Sequence, residues 1–416
     1  MKIILAEILT IGDEILYGQI VDTNSQWMSA ELDKVGVKIA RKTTIGDSEE
    51  EILGALQEAE NRADIVLITG GLGPTNDDLT KPCLVKYFDT KLILNQESLD
   101  NVTAIFKKLG RPLSDVNKQQ AMLPEACEMI PNDMGTASGM WFDKNGKTFM
   151  SMPGVPHEMK LMMSSYVIPK LQKKYKTPFI HHKLVKTVGI GESDLAEIIV
   201  DWENNLPDHI KLAYLPSLAQ VKLRLTAIGS DKRTVELEVE DQIKQLKKLI
   251  EKYIYGYDKD QLEEVVGQLL KDSNQNIAVA ESCTGGYISH MITTIAGSSA
   301  YFRGGVTPYQ NDIKINLLGV NAETIFKHGA VSEETVIEMA ENVRRLYHTD
   351  YGIATSGIAG PGGATPEKPV GTIWIAVSSD KGTTARKLQL WKDRELNIKT
   401  TAIAVLNMAR LSLLEK

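Results

Sequence analysis

The sequence predicts an α/β protein in which two α/β domains are joined by a small α+β domain. Two stretches of the 416-residue chain alternate strand-like and helix-like hydrophobic patterns, which is typical of parallel sheets covered by helices. Between these stretches the pattern changes to a period-two strand followed by an amphipathic helix. Because domains commonly contain about 100–200 residues, the length allows two to four of them. We expect domains over 1–170, 175–253 and 254–416.

The composition predicts a cytoplasmic protein that has no membrane partner and no direct nucleic-acid partner. Apolar residues make up 43% of the chain and charged residues 24%, which is ordinary for a globular protein. No apolar run reaches the roughly 18–20 residues that a membrane helix needs. With 47 basic and 54 acidic residues the formal charge is −7, so a general basic surface for nucleic acid is absent and only a local patch stays open. The three cysteines form no CxxC pair, which argues against disulfide frameworks and zinc fingers.

The first α/β stretch begins with a predicted strand over 3–11, interrupted by Glu7. A helix is expected from about 24 to 35. Residues 64–69 form a continuous apolar run, as expected for a strand buried on both faces. Residues 171–186, rich in Lys and His, are expected to form a connection.

The second α/β stretch is predicted to contain strands over 276–280, 351–355 and 372–377. Helices are expected over 286–296 and 332–347, the second with Ser332 as its N-cap. In the middle region, residues 210–228 contain a half-exposed strand and residues 232–254 have the spacing of a surface helix. The alternation predicts a parallel sheet in each α/β domain.

Glycines and acidic residues follow the buried strand in the segment TGGLGPTNDDLT, residues 69–80. Glycines let backbone N–H groups approach an anion, and Asp suits a hard divalent cation that bridges phosphates. The alternative is a plain turn in which Asp78 caps the next helix. Two further polar loops follow candidate strands. In these, Asp22 is open to interpretation as a helix cap, and Glu158 as a helix-start charge.

The motifs GDEILYGQIVDTN, TGGLGPTNDDLT and MPGVPHEM resemble the molybdopterin-binding domain in the form found in the CinA family (competence/damage-inducible protein A). The resemblance implies a three-layer α/β/α fold and an ADP-ribose pyrophosphatase that uses a divalent metal ion of the Mg, Co or Mn type. It implies that the diphosphate is bound by Gly12, Asp22, Asn24, Gly70, Gly71, Gly73 and Thr75. It implies that the metal ion is bound by Asp77, Asp78 and Glu158.

The segment AESCTGG, residues 280–286, lies at the junction between a predicted strand and a predicted helix. A nucleophile at such a turn is exposed, and the N–H groups of the helix stabilise a developing oxyanion. Ser282 then needs a general base. Histidine is scarce in the chain, and a lysine of lowered pKa is the alternative base. Lys314, together with Tyr309, could face Ser282 if the segment 304–314 runs beside it. The alternatives are a surface lysine at a helix start and Cys283 as the nucleophile.

The motifs AESCTGG, GSSAYFRGGV, YQNDIK, SGIAGPGGATPEKPVGTIWIAV and a late Asp-Arg resemble the CinA C-terminal domain, the nicotinamide mononucleotide deamidase. The resemblance implies hydrolysis to nicotinate mononucleotide and ammonia without a cofactor, with Ser282 as nucleophile, Lys314 as base and Tyr309 as helper. It implies that the substrate is bound by Thr284, Gly285, Gly286, Asn311, Ser356, Gly357, Gly360, Gly362 and Arg394. Arg394 is expected to contact the phosphate, although Lys392 replaces the glycine usual in this loop.

The middle region resembles the KH-like domain of the same family. It lacks the GxxG loop that nucleic-acid-binding KH domains use, so a structural or dimerising role is expected. The fold class implied is therefore α/β, with two three-layer α/β domains joined by a small α+β KH-like domain. The expected function is a homodimeric, bifunctional hydrolase whose partners are two small nucleotides, nicotinamide mononucleotide and ADP-ribose. The alternatives are a non-catalytic partner in competence or recombination, and a molybdenum-cofactor synthesis enzyme.

Overall fold

The computed structural model describes residues 3–73, 75, 78–108 and 110–415. The chain divides into two compact units, each treated separately below. One unit combines Met1–His181 with Ile228–Val235, and the other combines His182–Ala227 with Glu236–Lys416. The three domain ranges expected from the sequence stay a prediction.

The N-terminal part of the chain contains eight strands and eight helices among its described residues. The strands are β1 (Ile4–Ile11), β2 (Val37–Ile45), β3 (Ile65–Thr69), β4 (Leu92–Leu94), β5 (Met122–Pro124), β6 (Glu128–Ile130), β7 (Gly139–Lys144) and β8 (Lys147–Met152). The helices are α1 (Asp13–Leu16), α2 (Thr23–Lys34), α3 (Glu49–Arg62), α4 (Thr80–Tyr87), α5 (Gln96–Lys108), α6 (Asp115–Gln119), α7 (Pro156–Met162) and α8 (Ile168–Lys174), with a π-helical turn (Met163–Val167) before α8.

Six of these strands form one mixed sheet in the order β2-β1-β3-β8-β7-β6. Strands β2, β1, β3 and β8 are parallel, whereas β7 runs antiparallel to both of its neighbours, β8 and β6. The expectation of an all-parallel sheet is therefore wrong at this edge. The reason is the turn at Asn145 and Gly146, which both have positive φ (54° and 75°) and so close a tight hairpin between β7 and β8.

The two faces of this sheet bury separate hydrophobic clusters. Every residue of β3 is buried, as predicted, and its side chains alternate between the clusters. Ile65 and Leu67 belong to one cluster, and Val66 and Ile68 to the other. Helices therefore cover both faces, which makes this a three-layer α/β/α arrangement.

Glu7, which interrupts the apolar pattern of β1, is fully buried and paired. Arg62 donates to its carboxylate from Nε (3.0 Å) and Nη2 (2.9 Å), and Thr43 Oγ1 donates at 3.0 Å. A buried carboxylate is tolerated when it is paired and hydrogen-bonded in this way. The polar break in the sequence is therefore part of a strand.

The middle region forms a four-stranded sheet in the order β10-β11-β9-β12. Its elements are β9 (Phe179–Val188), α9 (Glu192–Asn204), β10 (Ile210–Ser217), β11 (Gln220–Gly229), α10 (Lys232–Ile250), a 3₁₀ turn (Glu251–Tyr253) and β12 (Ile254–Tyr257). One expectation is corrected here. Residues 171–186 are not a connection throughout, because α8 runs to Lys174 and β9 begins at Phe179; the Lys and His residues of β9 are partly exposed. The half-exposed strand expected within 210–228 is present as β11, and β10 pairs with it in a hairpin that turns at Ala219.

The C-terminal part contains a five-stranded sheet in the order β14-β13-β15-β16-β17. Its strands are β13 (Ile277–Glu281), β14 (Phe302–Val306), β15 (Tyr351–Gly357), β16 (Thr372–Ser379) and β17 (Gly382–Gln389). Its helices are α11 (Leu262–Asp272), α12 (Tyr287–Thr294), α13 (Asn311–Asn316), α14 (Ala322–His328), α15 (Glu333–Leu346) and α16 (Arg394–Leu414), with a 3₁₀ turn (Ser298–Ala300).

Strands β14, β13 and β15 are parallel, and β16 runs antiparallel to both of its neighbours, β15 and β17, so this sheet too is mixed where a parallel sheet was expected. Two hydrophobic clusters again lie on opposite faces, one including α11 and α16 and the other including α15. The predicted fold class, with two three-layer α/β parts and a small α+β part between them, is confirmed. No described helix is long and apolar enough to cross a membrane.

The predicted N-cap of α15 provides a test of the fold. Ser332 Oγ accepts a hydrogen bond from the Thr335 N–H at 3.2 Å and is buried, so Ser332→Ala should lower the free energy of unfolding by about 1 kcal/mol. The measurement is urea denaturation. As a matched control, Ser273→Ala removes a hydroxyl that donates to carbonyls at the end of α11 and should change stability by less than about 0.5 kcal/mol. Equal effects of the two substitutions would contradict the capping role.

Candidate active sites

A cleft of about 200 Å³ lies at the carboxyl ends of the three parallel strands β14, β13 and β15. Ligands bind at this edge of open α/β sheets because loops and helix N-termini converge there. The cleft is lined by Ser282, Cys283, Tyr309, Asn311, Lys314, Ala330, Val331, Ser356, Gly357, Ala359 and Arg394.

Ser282 is the first residue after β13. Its N–H donates to the Thr355 carbonyl of β15 at 3.0 Å, which continues the ladder by one residue and holds the backbone in place. The side chain lies in the cleft and is 8% exposed. The hydroxyl is therefore held by a rigid strand end and still reaches the cleft.

Lys314 on α13 is 1% exposed, and its amine lies 3.1 Å from Ser282 Oγ. The same nitrogen donates to the Pro308 carbonyl (2.7 Å) and to the Tyr309 carbonyl (3.3 Å). Burial lowers the pKa of the Lys314 amine below its ordinary value. The surface-lysine alternative is therefore wrong.

The neighbours of Lys314 can accommodate a neutral amine. A neutral amine has two N–H donors and one lone pair, and the two carbonyls can only accept. In that protonation state the lone pair is available to the third neighbour, the Ser282 hydroxyl, 3.1 Å away. Among the described residues no carboxylate lies within ion-pair distance of this nitrogen. The arrangement suits removal of the serine proton.

Cys283 lies beside Ser282 but is buried in the hydrophobic cluster of this unit. Burial raises the pKa of the Cys283 thiol to about 12, so the thiol remains protonated near neutral pH. A thiol of this kind is a poor nucleophile because the thiolate is the reactive form.

Tyr309 and Arg394 meet at the mouth of the cleft. Arg394 Nη2 donates to the Tyr309 hydroxyl at 2.9 Å, and Nη1 donates to the Gly360 carbonyl at 2.8 Å. Tyr309 is 52% exposed, and it is the backbone carbonyl of Tyr309 that contacts Lys314. The helper role expected for the hydroxyl stays a prediction.

Only some of the residues expected to bind substrate line the cleft that contains Ser282. Asn311, Ser356, Gly357 and Arg394 line the cleft. The Ser356 hydroxyl donates to the Ala330 carbonyl at 2.5 Å, and the Gly360 carbonyl accepts from Arg394. The others are not part of this lining: Thr284, Gly285 and Gly286 line a different depression, and Gly362 lies in the exposed loop that follows.

Glu281, which the sequence analysis missed, occupies the N-terminus of α12. Its fully buried carboxylate accepts from the N–H groups of Gly286 (3.1 Å), Ile288 (3.0 Å) and Ser289 (2.8 Å), and from Ser289 Oγ (2.7 Å). These helix N–H groups are therefore not available to an oxyanion, and that expectation is wrong. A carboxylate just before a Gly-Gly helix start was the signal for this cap.

The first unit has its own cleft, of about 530 Å³, at the carboxyl ends of β2, β1, β3 and β8. Six of the residues expected to hold diphosphate line it, namely Gly12, Asp22, Asn24, Gly70, Gly71 and Gly73. Gly70 has a φ of +111°, and a Cβ there would lie 2.1 Å from the Ile11 carbonyl oxygen, so glycine is required. Asn24 Nδ2 donates to the Gly154 carbonyl (2.7 Å) and to Thr69 Oγ1 (3.1 Å), which ties the loops after β3 and β8 together.

The acidic residues of this cleft have structural partners. Asp22 Oδ1 accepts from the Ser25 N–H (2.9 Å) and caps α2, as the alternative interpretation predicts. Asp78 does not cap α4; its carboxylate accepts from the N–H groups of Gly73 (2.8 Å) and Thr75 (3.0 Å) and from the Thr75 hydroxyl. Glu158 Oε2 accepts from Asn132 Nδ2 at 2.7 Å.

The metal site expected from the resemblance is only partly described. Asp77 lies outside the described residues, and within the described ranges no three His, Cys, Asp or Glu side chains lie close enough to hold a metal ion. Asp78 and Glu158 line the cleft and keep free carboxylate lone pairs. This donor set fits an ion such as Mg²⁺, which is usually held by one or two carboxylates together with substrate phosphates.

Comparison with known proteins covers almost the whole chain. Family models match for the CinA C-terminal domain (residues 259–413), the Probable molybdopterin binding domain (7–173) and the Damage-inducible protein CinA KH domain (182–256).

Three relatives that match over nearly their whole length are each named CinA-like protein. A CinA-like protein of Cytophaga hutchinsonii is 53% identical over 412 residues, which cover 99% of each chain. A CinA-like protein of Flavobacterium psychrophilum is 45% identical over 94% of each chain. A third, from Amoebophilus asiaticus, is 43% identical over 98% of this chain and 99% of its own. With a match of this extent, the chain belongs to the CinA family.

Proposed function

We propose that the cleft at Ser282 hydrolyses the carboxamide of nicotinamide mononucleotide to nicotinate mononucleotide and ammonia. The observation that carries the proposal is the buried Lys314 amine, 3.1 Å from Ser282 Oγ and without a carboxylate partner among the described residues. A serine hydroxyl becomes an effective nucleophile only when a base accepts its proton. A Ser–Lys pair is a known form of this arrangement.

The reaction follows two acyl-transfer steps. Ser282 Oγ attacks the amide carbon while Lys314 accepts the hydroxyl proton. Collapse of the tetrahedral intermediate breaks the C–N bond, and Lys314 returns the proton to the departing nitrogen, which leaves as ammonia. Water then attacks the serine ester with Lys314 again as base, which releases the carboxylate and restores the hydroxyl.

The backbone after the nucleophile supports an oxyanion site. Within the described residues, the N–H of Gly285 donates to the Ser282 carbonyl and that of Gly286 to Glu281. In the described part of the chain, the N–H of Cys283 contacts only its own thiol, and the N–H of Thr284 has no hydrogen-bond partner. An N–H directly after the nucleophile is a common oxyanion donor.

Substitutions at three neighbouring positions test the assignment of the nucleophile. Ser282→Ala should lower the rate of ammonia release by about 10⁴–10⁶ because the nucleophile is lost. Lys314→Ala should lower it by about 10²–10⁴ because the base is lost. Cys283→Ala should keep most activity, since the buried thiol takes no part. An inactive Cys283→Ala protein beside an active Ser282→Ala protein would overturn the assignment, and inactive wild type would favour a non-catalytic role.

The protonation of Lys314 predicts two pH dependences. First, kcat/KM should rise with pH through the lowered pKa of Lys314, because only the neutral amine accepts a proton. Second, the unfolded chain keeps this proton up to about pH 10.4 whereas the native state loses it earlier, so the free energy of unfolding should rise with pH across that window. Lys314→Met should flatten this contribution, measured by urea denaturation between neutral and alkaline pH. An unchanged slope in Lys314→Met would contradict a neutral lysine.

For the first unit we propose hydrolysis of a nucleotide diphosphate such as ADP-ribose, assisted by a divalent metal ion. The described lining of the cleft contains five carboxylates and no Lys, Arg or His; the acidic residues are Glu14, Asp22, Asp47, Asp78 and Glu158. A diphosphate would be repelled there unless a cation offsets its charge. A bound metal ion supplies that offset and lowers the pKa of a water. Asp78 and Glu158 would hold it, and Gly70, Gly71 and Gly73 would let the phosphates approach the backbone.

The two activities should be separable. Excess chelator should abolish ADP-ribose cleavage and leave ammonia release unchanged, because Lys314 and Ser282 need no metal ion. Glu158→Gln should lower cleavage by roughly 10- to 100-fold, as expected for loss of a metal-binding carboxylate. Ser282→Ala serves as the matched control, with full cleavage expected. Product analysis by chromatography checks both substrates, and undiminished cleavage in excess chelator would remove this second proposal.

A further inference from the structure

A buried asparagine on α16 joins two loops of the Ser282 cleft. Asn397 is 0% exposed. Its Nδ2 donates to the Ala359 carbonyl (2.9 Å) and to the Trp391 carbonyl (2.8 Å), and its Oδ1 accepts from the Trp391 N–H (3.1 Å). Because the carbonyls can only accept and the N–H can only donate, these contacts fix the orientation of the amide. All three hydrogen bonds of the Asn397 side chain are made with backbone groups.

The two loops also meet in a further hydrogen bond, between Arg394 and the Gly360 carbonyl. Ala359 lines the cleft, and the carbonyl of the next residue, Gly360, accepts from Arg394 Nη1 at 2.8 Å. Trp391 lies in the loop that leads into α16, whose first residue is Arg394. Asn397 therefore joins the loop at Ala359, whose next carbonyl accepts from Arg394, to the loop at Trp391, which precedes Arg394 in the chain.

The guanidinium held in this way is suited to an anion. Two of its five N–H donors are used, one by Gly360 and one by the Tyr309 hydroxyl at 2.9 Å, so three remain. Among the described residues Arg394 forms no ion pair, and it lines the cleft that contains Ser282. A planar guanidinium of fixed orientation binds phosphate oxygens through paired hydrogen bonds, which a mobile one does less well.

We propose that Asn397 is a positioning residue for phosphate recognition: by orienting Arg394, it makes the cleft prefer the phosphorylated nucleotide over the corresponding nucleoside. This inference rests on the proposed amidase function of the cleft. Asn397 itself touches neither the substrate nor the reacting atoms. Its effect is on selectivity between two substrates that share the same amide and differ by one phosphate.

The experiment compares nicotinamide mononucleotide with nicotinamide riboside. The readout is the ratio of their kcat/KM values, together with the ratio of their Kd values in the Ser282→Ala background. Wild type should favour the nucleotide by about 10- to 100-fold, the range expected for hydrogen bonds to a charged group. Arg394→Met and Asn397→Leu should both bring the ratio toward unity, with the nucleoside little affected.

The matched control is Asn407→Leu, the same substitution on the same helix. Asn407 is also buried, and its Oδ1 accepts from Arg410 Nε at 3.0 Å, about 15 Å along α16 from Asn397. It should destabilise the fold and leave the substrate ratio at the wild-type value. If Asn397→Leu does not fold, Asn397→Asp is the second variant, since it sets a carboxylate oxygen against the Ala359 carbonyl and should also lower the ratio.

The outcomes separate the inference from the function on which it rests. Equal loss for both substrates in the Asn397 variants, or a ratio that falls equally in Asn407→Leu, would overturn the positioning role. A wild-type protein that binds the nucleotide no better than the nucleoside would overturn it as well. If neither substrate is hydrolysed but the Kd ratio still depends on Asn397, the proposed amidase function fails and the inference stands.

Discussion

The placement of one amine inside the protein is the constraint on which the Ser282 cleft depends. Lys314 is surrounded by two carbonyls and one hydroxyl, and no described carboxylate pairs with it. Burial without a described carboxylate partner disfavours the charged amine and lowers its pKa, and a neutral amine can still bond to all three neighbours. In the proposed mechanism the packing that buries α13 therefore also favours the protonation state that a base requires.

Around this pair the site is held by buried polar side chains that contact backbone and not ligand. Glu281 secures the turn after Ser282 through the N-terminus of α12, and Asn397 secures the loops around Arg394. Both side chains are fully satisfied, as buried polar groups must be. Loops that bind or react are commonly positioned by such contacts on rigid elements. In the cleft of the first unit, Asn24 and Asp78 bond to backbone groups of the surrounding loops.

Much of the fold could be predicted because periodicity and local signals agreed there. Strand β3 reads as a continuous apolar run, and the N-cap of α15 is visible in its sequence. The antiparallel edges could not be predicted by counting alternation, since a tight turn at Asn145 and Gly146 decides strand direction. Strand β9 was missed because its half-buried face carries Lys and His, which resemble a linker when burial is unknown.

For the candidate sites, the sequence predicted the identity of several residues but not their burial or their hydrogen-bond partners. Ser282 was predicted from its motif at a strand end, and Lys314 from the resemblance of its segment to the family motif. The two meet because the carboxyl ends of neighbouring parallel strands lie at one edge of the sheet. Whether Lys314 is buried depends on how α13 packs, which local sequence does not reveal. The roles of Glu281 and Asn397 emerge only when each hydrogen bond of the turn and loops is assigned. Asp77 lies outside the described residues, so its part in a metal site stays a prediction.

The most direct test of a neutral Lys314 is the titration of that amine itself. In protein labelled with ¹³C at the lysine Cε positions, the Lys314 signal is identified by its absence from Lys314→Met protein and followed by NMR as the pH is raised. A buried base should titrate well below the exposed lysines of the same protein. A Lys314 signal that titrates together with the exposed lysines, or above them, would contradict the proposed Ser282–Lys314 chemistry.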